Sequence, residues 1–186
     1  MKRLAALLAT ALLGLSLVGC GSPAEGCETG QDHWLRCAAG ERPAAPALSG
    51  ETLDGGRYDL ADHRGKVVVV NFWGSWCPPC RAEADDLAKV YEQYKGQGVG
   101  FVGINVRDDR DAAKAFEAGR HEYPSIFDPA SRLALDFTGL PAIGTPPVTV
   151  VIDRSGRVAA MIRGAVLADS LAGVVGAVVA EPAGSG

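Results

Sequence analysis

The stretch Asn71-Phe72-Trp73-Gly74-Ser75-Trp76-Cys77-Pro78-Pro79-Cys80-Arg81 constrains the fold more than any other part of the chain. Four valines, Val67 to Val70, precede it and an amphipathic segment follows. A pair of cysteines therefore sits where a buried strand gives way to a helix. That position decides what the sulfurs can do. The thiolate is the reactive species, and a helix N-terminus stabilises it through unpaired N–H groups and the positive end of the dipole. Cysteines at i and i+3 in a first helical turn have Cα atoms roughly 5–6 Å apart, within disulfide range. Pro78 and Pro79 suit the first helical positions, where a missing N–H costs little. Cys77, before a proline, is pushed out of the α region and suits an N-cap.

Other uses of a Cys-x-x-Cys pair fit less well. A zinc site needs a second ligand pair at similar spacing, and His33, His63 and His121 are scattered. A c-type haem site needs His after the second Cys, where this chain has Arg81. A purely structural bridge would not need a strand-to-helix turn, so redox chemistry is the reading favoured, and it requires no cofactor or metal. Cys77 is expected as the exposed nucleophile and Cys80, facing inward, as the resolving thiol. Glu83, one turn beyond Cys80 on the same helical face, is positioned to take the proton that Cys80 must lose.

Trp76-Cys77-Pro78-Pro79-Cys80-Arg81-Ala82-Glu83 resembles the TlpA/ResA branch of the thioredoxin superfamily. The resemblance runs from about Ala47 to Ala180. It implies a thioredoxin-like α/β fold: a central mixed sheet flanked by helices, an N-terminal β-hairpin and a helical insertion. It implies a proton-accepting role for Glu83 and a cis-proline beside the dithiol. In Gly144-Thr145-Pro146-Pro147-Val148 the family spacing selects Pro147 as that cis residue, with Pro146 and Trp76 on the substrate rim. Two departures stand out. Asp85 replaces a proline two residues after Glu83, which predicts an unkinked helix. Pro146 also removes an N–H that the family uses in docking a peptide. Implied partners are protein disulfides, apocytochrome c among them, and an unidentified membrane electron donor. Two other members of the superfamily stay open as alternatives, a peroxiredoxin-like peroxidase and a copper-binding metallochaperone. The first needs a proline before a Thr/Ser-x-x-Cys site and the second a Cys-x-x-x-Cys with a distal His.

Residues 1–19 read as a leader: Lys2 and Arg3 are followed by an apolar run, Leu4 to Leu17, too short for a typical membrane span. Leu17-Val18-Gly19-Cys20 resembles a bacterial lipobox, which makes Cys20 the lipid-bearing first residue of an exported, membrane-anchored protein. Losing Lys2 and Arg3 leaves 16 basic against 22 acidic residues, and no basic patch for nucleic acid. Residues 20–46, rich in Gly, Ala, Pro and Glu, read as anchor and flexible tether, and 183–186 as a tail. Export permits a Cys27–Cys37 disulfide within the tether, the alternative being a second redox pair.

Within the domain, 47–182, Asp54-Gly55-Gly56 marks a hairpin turn between Leu48–Leu53 and Arg57–Leu60. Leu87, Val90, Tyr91 and Tyr94 define one buried helical face ending near Gly96 or Gly98. Val99 to Val106 follows as a parallel strand through a right-handed crossover. Asp111 to His121 is helical by composition, and the resemblance adds a short strand at Ser125–Asp128. Val148–Ile152 and Arg157–Ile162 form a hairpin, and Leu171, Val174, Val175, Val178 and Val179 line a final core-packing helix.

Overall fold

The computed structural model describes residues 26–120 and 122–182. The leader, Cys20, His121 and the tail at 183–186 lie outside the described residues. The chain runs β1 (Cys27–Thr29), β2 (Leu35–Cys37), β3 (Ser49–Glu51), β4 (Arg57–Asp59), β5 (Val67–Trp73), α1 (Pro78–Tyr94) and β6 (Val99–Val106). It continues with α2 (Arg110–Glu117), β7 (Ser125–Asp128), α3 (Arg132–Leu135), β8 (Val148–Ile152), β9 (Val158–Arg163) and α4 (Ala168–Ala180).

The valine run places β5 at the heart of the molecule because it can be buried on both faces. All seven of its residues are buried. Alternation along the strand sends Val67 and Val69 to one apolar cluster, with Leu87 and Val90 of α1 and Leu171, Val174, Val175 and Val178 of α4. It sends Val68, Val70 and Phe72 to the other, with Leu48, Tyr58, Phe137 and Ile143. The sheet has the order β1-β2-β9-β8-β5-β6-β7. It is mixed: β5 is parallel to β6 and antiparallel to β8, and β7 is parallel to β6. β3 and β4 pair as a separate hairpin. This is a thioredoxin-like fold, with the dithiol at the carboxyl end of a central parallel strand.

The N-terminal segment departs from the expectation of a tether. From Gly26 onward it is part of the domain. β2 joins the sheet, pairing Leu35 with Met161 and Arg36 with Ala160 of β9, and β1 adds outside it. Trp34 is 0% exposed, and its indole N–H donates to Ser170 Oγ of α4 at 2.9 Å. Arg42, also buried, makes ion pairs with Asp153 at 3.0 Å and Glu181 at 2.6 Å. Composition misleads in this segment because a few anchors outweigh many Gly, Ala and Pro. A buried tryptophan and a paired buried arginine each tie the chain down locally.

Other differences are small. α2 stops at Glu117, four residues short of the expected end, and Gly119 follows in the left-handed region at φ 74°. The last strand runs from Val158 rather than Arg157. α1 is continuous over 17 residues through Asp85. Among the described residues no helix is long and apolar enough to cross a membrane. α4 instead packs on α1, where Gly176 leaves room for Tyr94, whose hydroxyl donates to the Ala172 carbonyl at 3.0 Å.

Candidate active site

The loop Gly74-Ser75-Trp76 carries the chain from β5 into α1, and Asp108, just beyond β6, holds it. Asp108 accepts from the Ser75 hydroxyl at 2.8 Å and from Asn105 Nδ2 at 2.8 Å. The Trp76 indole folds back over Gly74, where a Cβ would lie 2.5 Å from Nε1, and donates to the Val106 carbonyl at 3.3 Å. Trp76 is 45% exposed, with the Arg107 guanidinium 5.2 Å from its ring centre.

Cys77 is the N-cap of α1, with an extended backbone at φ −94° and ψ 106° and Pro78 and Pro79 in the first two helical positions. Its sulfur accepts from the Cys80 N–H at 3.2 Å. Neither proline has an N–H, so Cys80 supplies the cap hydrogen bond. The two sulfurs form a disulfide with Cα atoms 5.3 Å apart. Cys77 does not have the exposure expected of it: in this oxidised form it is 2% exposed, against 3% for Cys80. The cause is close packing around it. Leu53, Trp73 and Ala113 form an apolar cluster with the two cysteines, and the Pro146 carbonyl oxygen lies 3.6 Å from Cys77 Sγ. The Pro146–Pro147 bond is cis. Both prolines are buried, so Pro146 meets the sulfur through its backbone oxygen rather than as an open rim. The Pro147 carbonyl accepts from Gly164 N at 2.9 Å, which fastens this segment to the end of β9.

Glu83 lies on the inner face of α1 and is 1% exposed. Its Oε1 accepts from Asn71 Nδ2 at 2.8 Å and its Oε2 from the Val166 N–H at 2.8 Å. Asn71 uses its second amide proton on Thr149 Oγ1 at 3.1 Å. Burial pushes the Glu83 carboxyl up to about 7, against the pull of those two donors and with a small upward push from Asp86. Both carboxylate oxygens are thus engaged beside Asn71, on the strand that leads into the dithiol.

Several residues at this site carry no strong sequence signal. Trp73 is part of the dithiol cluster, and its indole donates to Ser125 Oγ at 3.1 Å. Gly103 of β6 makes that contact possible, since a Cβ there would stand 2.0 Å from Ser125 Oγ. Ser125 in turn donates its hydroxyl to Glu117. Glu117, the last residue of α2, is pushed up to about 7, chiefly by burial, with Asp54 adding to the push and the Ser125 hydroxyl opposing it. The available sequence signal was Ala113-x-x-Phe116-Glu117, an inward helical face at i, i+3, i+4. Arg81 folds away from the sulfurs, donating to the Ser75 carbonyl at 3.3 Å and lying 4.8 Å from the Phe116 ring centre.

The other cysteine pair is apart from this site. Cys27 and Cys37 face each other across β1 and β2 and are disulfide-bonded. β9 and β8 separate that hairpin from β5. Among the described residues no group of three His, Cys, Asp or Glu side chains is placed to hold a metal ion.

Comparison with known proteins agrees with this geometry. Residues 42–161 match the AhpC/TSA family. The thiol-disulfide oxidoreductase ResA of Geobacillus kaustophilus is 33% identical over 121 residues, which span 64% of this chain and 67% of that one. The crystal structure of a secreted thiol-disulfide isomerase from Corynebacterium glutamicum superposes with a TM-score of 0.75 at 34% identity, covering 80% of this chain and 92% of that one. A DsbF homologue from Corynebacterium diphtheriae gives a TM-score of 0.73 at 38% identity, covering 81% and 96%. The chain belongs to the AhpC/TSA family, in its thioredoxin-like thiol-disulfide oxidoreductase branch.

Proposed function

We propose that the protein is an exported, lipid-anchored reductase of disulfides in client proteins, in which Cys77 attacks and Cys80 resolves. The observation that carries the reading is the N-cap geometry. Cys77 stands at the helix terminus against the Pro146 carbonyl, where an extended client strand would lie. Cys80 follows one turn later behind it. In the reduced protein the Cys77 thiolate attacks a client disulfide, and one client sulfur leaves as a thiolate. Cys80 gives up its proton, attacks the Cys77 sulfur of the mixed disulfide, and releases the second client sulfur. Two electrons pass to the client, and a membrane donor restores the dithiol. Glu83, held at Asn71, is one acceptor for the proton that Cys80 gives up.

Direction follows from donor count. Proline in the first two positions of α1 leaves the Cys77 thiolate few N–H donors, and Arg81 is drawn to Ser75 and Phe116. A less stabilised thiolate makes the reduced form a stronger reductant. The lipobox-like Leu17-Val18-Gly19-Cys20 supports anchoring at Cys20, with the domain on the outer face of the membrane. Apocytochrome c fits as one client, since thioether formation needs free cysteines.

The test is trapping. Cys80→Ser, expressed in cells, is expected to accumulate mixed disulfides through Cys77, identified after purification by mass spectrometry. Absence of adducts, or adducts on Cys80 in a Cys77→Ser variant alone, would reverse the assignment. Peroxide turnover or stoichiometric copper binding by the wild type would move the function to the two alternatives.

A further inference from the structure

A small cavity of about 20 Å³ lies directly behind the dithiol. Asn71, Trp73 and Cys80 line one part of it, and Phe116, Glu117 and Tyr123 another. It is large enough for one water molecule; Ala84, Leu87 and Phe116 make its apolar wall, and Asn71, Trp73, Glu117 and Tyr123 bring polar groups to the rest. Glu83 is not in its wall; that carboxylate is engaged behind Asn71. The acid that lines this space together with Cys80 is Glu117.

The position of Glu117 is poor for stability, which argues that it is not there for packing. It is the last residue of α2, where the helix dipole disfavours negative charge. Its surroundings orient it nonetheless. Trp73 donates to Ser125 Oγ, so the hydroxyl proton of Ser125 is left to point at Glu117 Oε1. The serine that anchors the carboxylate is thus itself held by Trp73, a member of the cluster that packs the cysteines.

We infer that Glu117 is a second proton-holding group of the thiol-disulfide reaction, taking the Cys80 proton across this cavity. The inference rests on Cys80 being the resolving thiol. In the resolving step the Cys80 S–H bond breaks and its proton passes to the Glu117 carboxylate. The Cys80 sulfur then bonds to Cys77 as the Cys77–client bond breaks, and the client leaves as a thiolate. The carboxyl returns its proton to solvent or to the departing thiolate, so no other oxidant or reductant is needed.

The charges around Glu117 are compatible with such a role. Burial and Asp54 hold its carboxyl near 7, where it exchanges protons readily at neutral pH. Lys114, on the same helix, is 3.9 Å from Asp54. From α1, Arg81 stacks on Phe116, as does Arg120 from beyond α2, which also pairs with Asp85 at 3.0 Å. Tyr123 is held above its ordinary value by burial first, then by the charges of Glu117 and Glu83. One neutral phenol therefore senses both acids.

The experiment uses the reduced protein mixed with excess dithiobisnitrobenzoate in a stopped-flow instrument. The first nitrothiobenzoate released reports attack by Cys77, and the second, independent of reagent concentration, reports resolution by Cys80. Cys80→Ser should abolish the second release; if it does not, the reading of Cys80 itself fails. Glu117→Gln is expected to slow the second release about tenfold at pH 7.5. It should also remove an inflection near neutrality while leaving the first within about twofold. A second-release profile matching wild type between pH 5.5 and 8.5, or equal slowing of both releases at every pH, overturns the role. Should Glu117→Gln fail to fold, Glu117→Asp is expected to keep an inflection at a displaced pH. Carbon NMR of the labelled Glu carboxyls in wild type supplies a further readout. The Glu117 resonance should titrate at different midpoints in the oxidised and reduced protein, and identical midpoints contradict the proposal.

Discussion

Cys27–Cys37 and Cys77–Cys80 are both closed disulfides, and burial separates them little: Cys37 is 5% exposed and Cys77 2%, and Cys27 is half-buried. Their surroundings separate them more. Cys27 and Cys37 are a directly opposed cross-strand pair in a short antiparallel hairpin. Cys77 caps a 17-residue helix, receives the Cys80 N–H and faces the Pro146 carbonyl, with Glu83 and Glu117 close by. A thiolate formed at the helix meets the positive end of the dipole, and acids nearby can take the proton that it loses. One released at the hairpin lies on a short β-ladder and has no helix N-terminus beside it. The difference teaches that redox function is written in what surrounds a sulfur pair, while burial alone fits a staple equally well.

The sharpest way to break this comparison is to remove one pair at a time. Cys77→Ala is expected to abolish disulfide exchange with a protein substrate such as insulin. Joint replacement of Cys27 and Cys37 by Ser is expected to leave the exchange rate within about twofold. Loss of exchange in the hairpin variant would make the second pair part of the reaction.

Next in size are effects on stability at the hairpin. Trp34→Ala is expected to cost about 3–5 kcal/mol in denaturant unfolding, because it empties a fully buried indole site against α4. Joint Cys27→Ser and Cys37→Ser is expected to cost about 3 kcal/mol, from a loop closed over a separation of ten residues. Changes below about 0.5 kcal/mol in both would return the segment to the status of a tether.

Much of the catalytic half was legible in the residues. The valine run, the Cys-x-x-Cys at its end and the Leu87-Val90-Tyr91-Tyr94 face specify strand, turn and helix through local patterns alone. Val99–Val106 and Ser125–Asp128 appear at the expected bounds. The hairpin at the far edge of the sheet was not legible, since β1 and β2 are three residues each and the strand that β2 joins, β9, lies more than 120 positions away. The same holds for Glu117. Its role depends on α2 folding over Cys80, a contact that no local spacing encodes. Asp108 was missed for a similar reason: a loop aspartate signals a turn, and only the fold aims it at Ser75.

A smaller effect distinguishes the acids from ordinary packing. The Glu83 carboxyl has a value of about 7 in the fold against an ordinary 4.5, so it binds its proton more tightly folded than unfolded. Its protonated form supports the fold fully below about pH 4.5, and that support is lost as pH rises through about 7. Glu83→Gln should therefore flatten the fall in stability between pH 5 and 8, at a pH-independent cost because its amide nitrogen cannot accept, so that Asn71 Nδ2 and the Val166 N–H are not both satisfied. It should also slow resolution by Cys80 by up to about tenfold at neutral pH. Matching rate profiles from pH 6 to 9 would leave Glu83 as a structural acid only.

The most direct test of the contrast between the two pairs is a single redox titration. The wild-type protein is equilibrated in glutathione and dithiothreitol buffers, quenched with acid, alkylated, and read at each cysteine by mass spectrometry. Cys77–Cys80 is expected to reduce nearer thioredoxin's roughly −270 mV than the roughly −120 mV of a strong oxidant, and Cys27–Cys37 to stay closed to below about −300 mV. Joint reduction of both pairs at one potential, or a Cys77–Cys80 midpoint close to −120 mV, would contradict the assignment of one staple and one reductant.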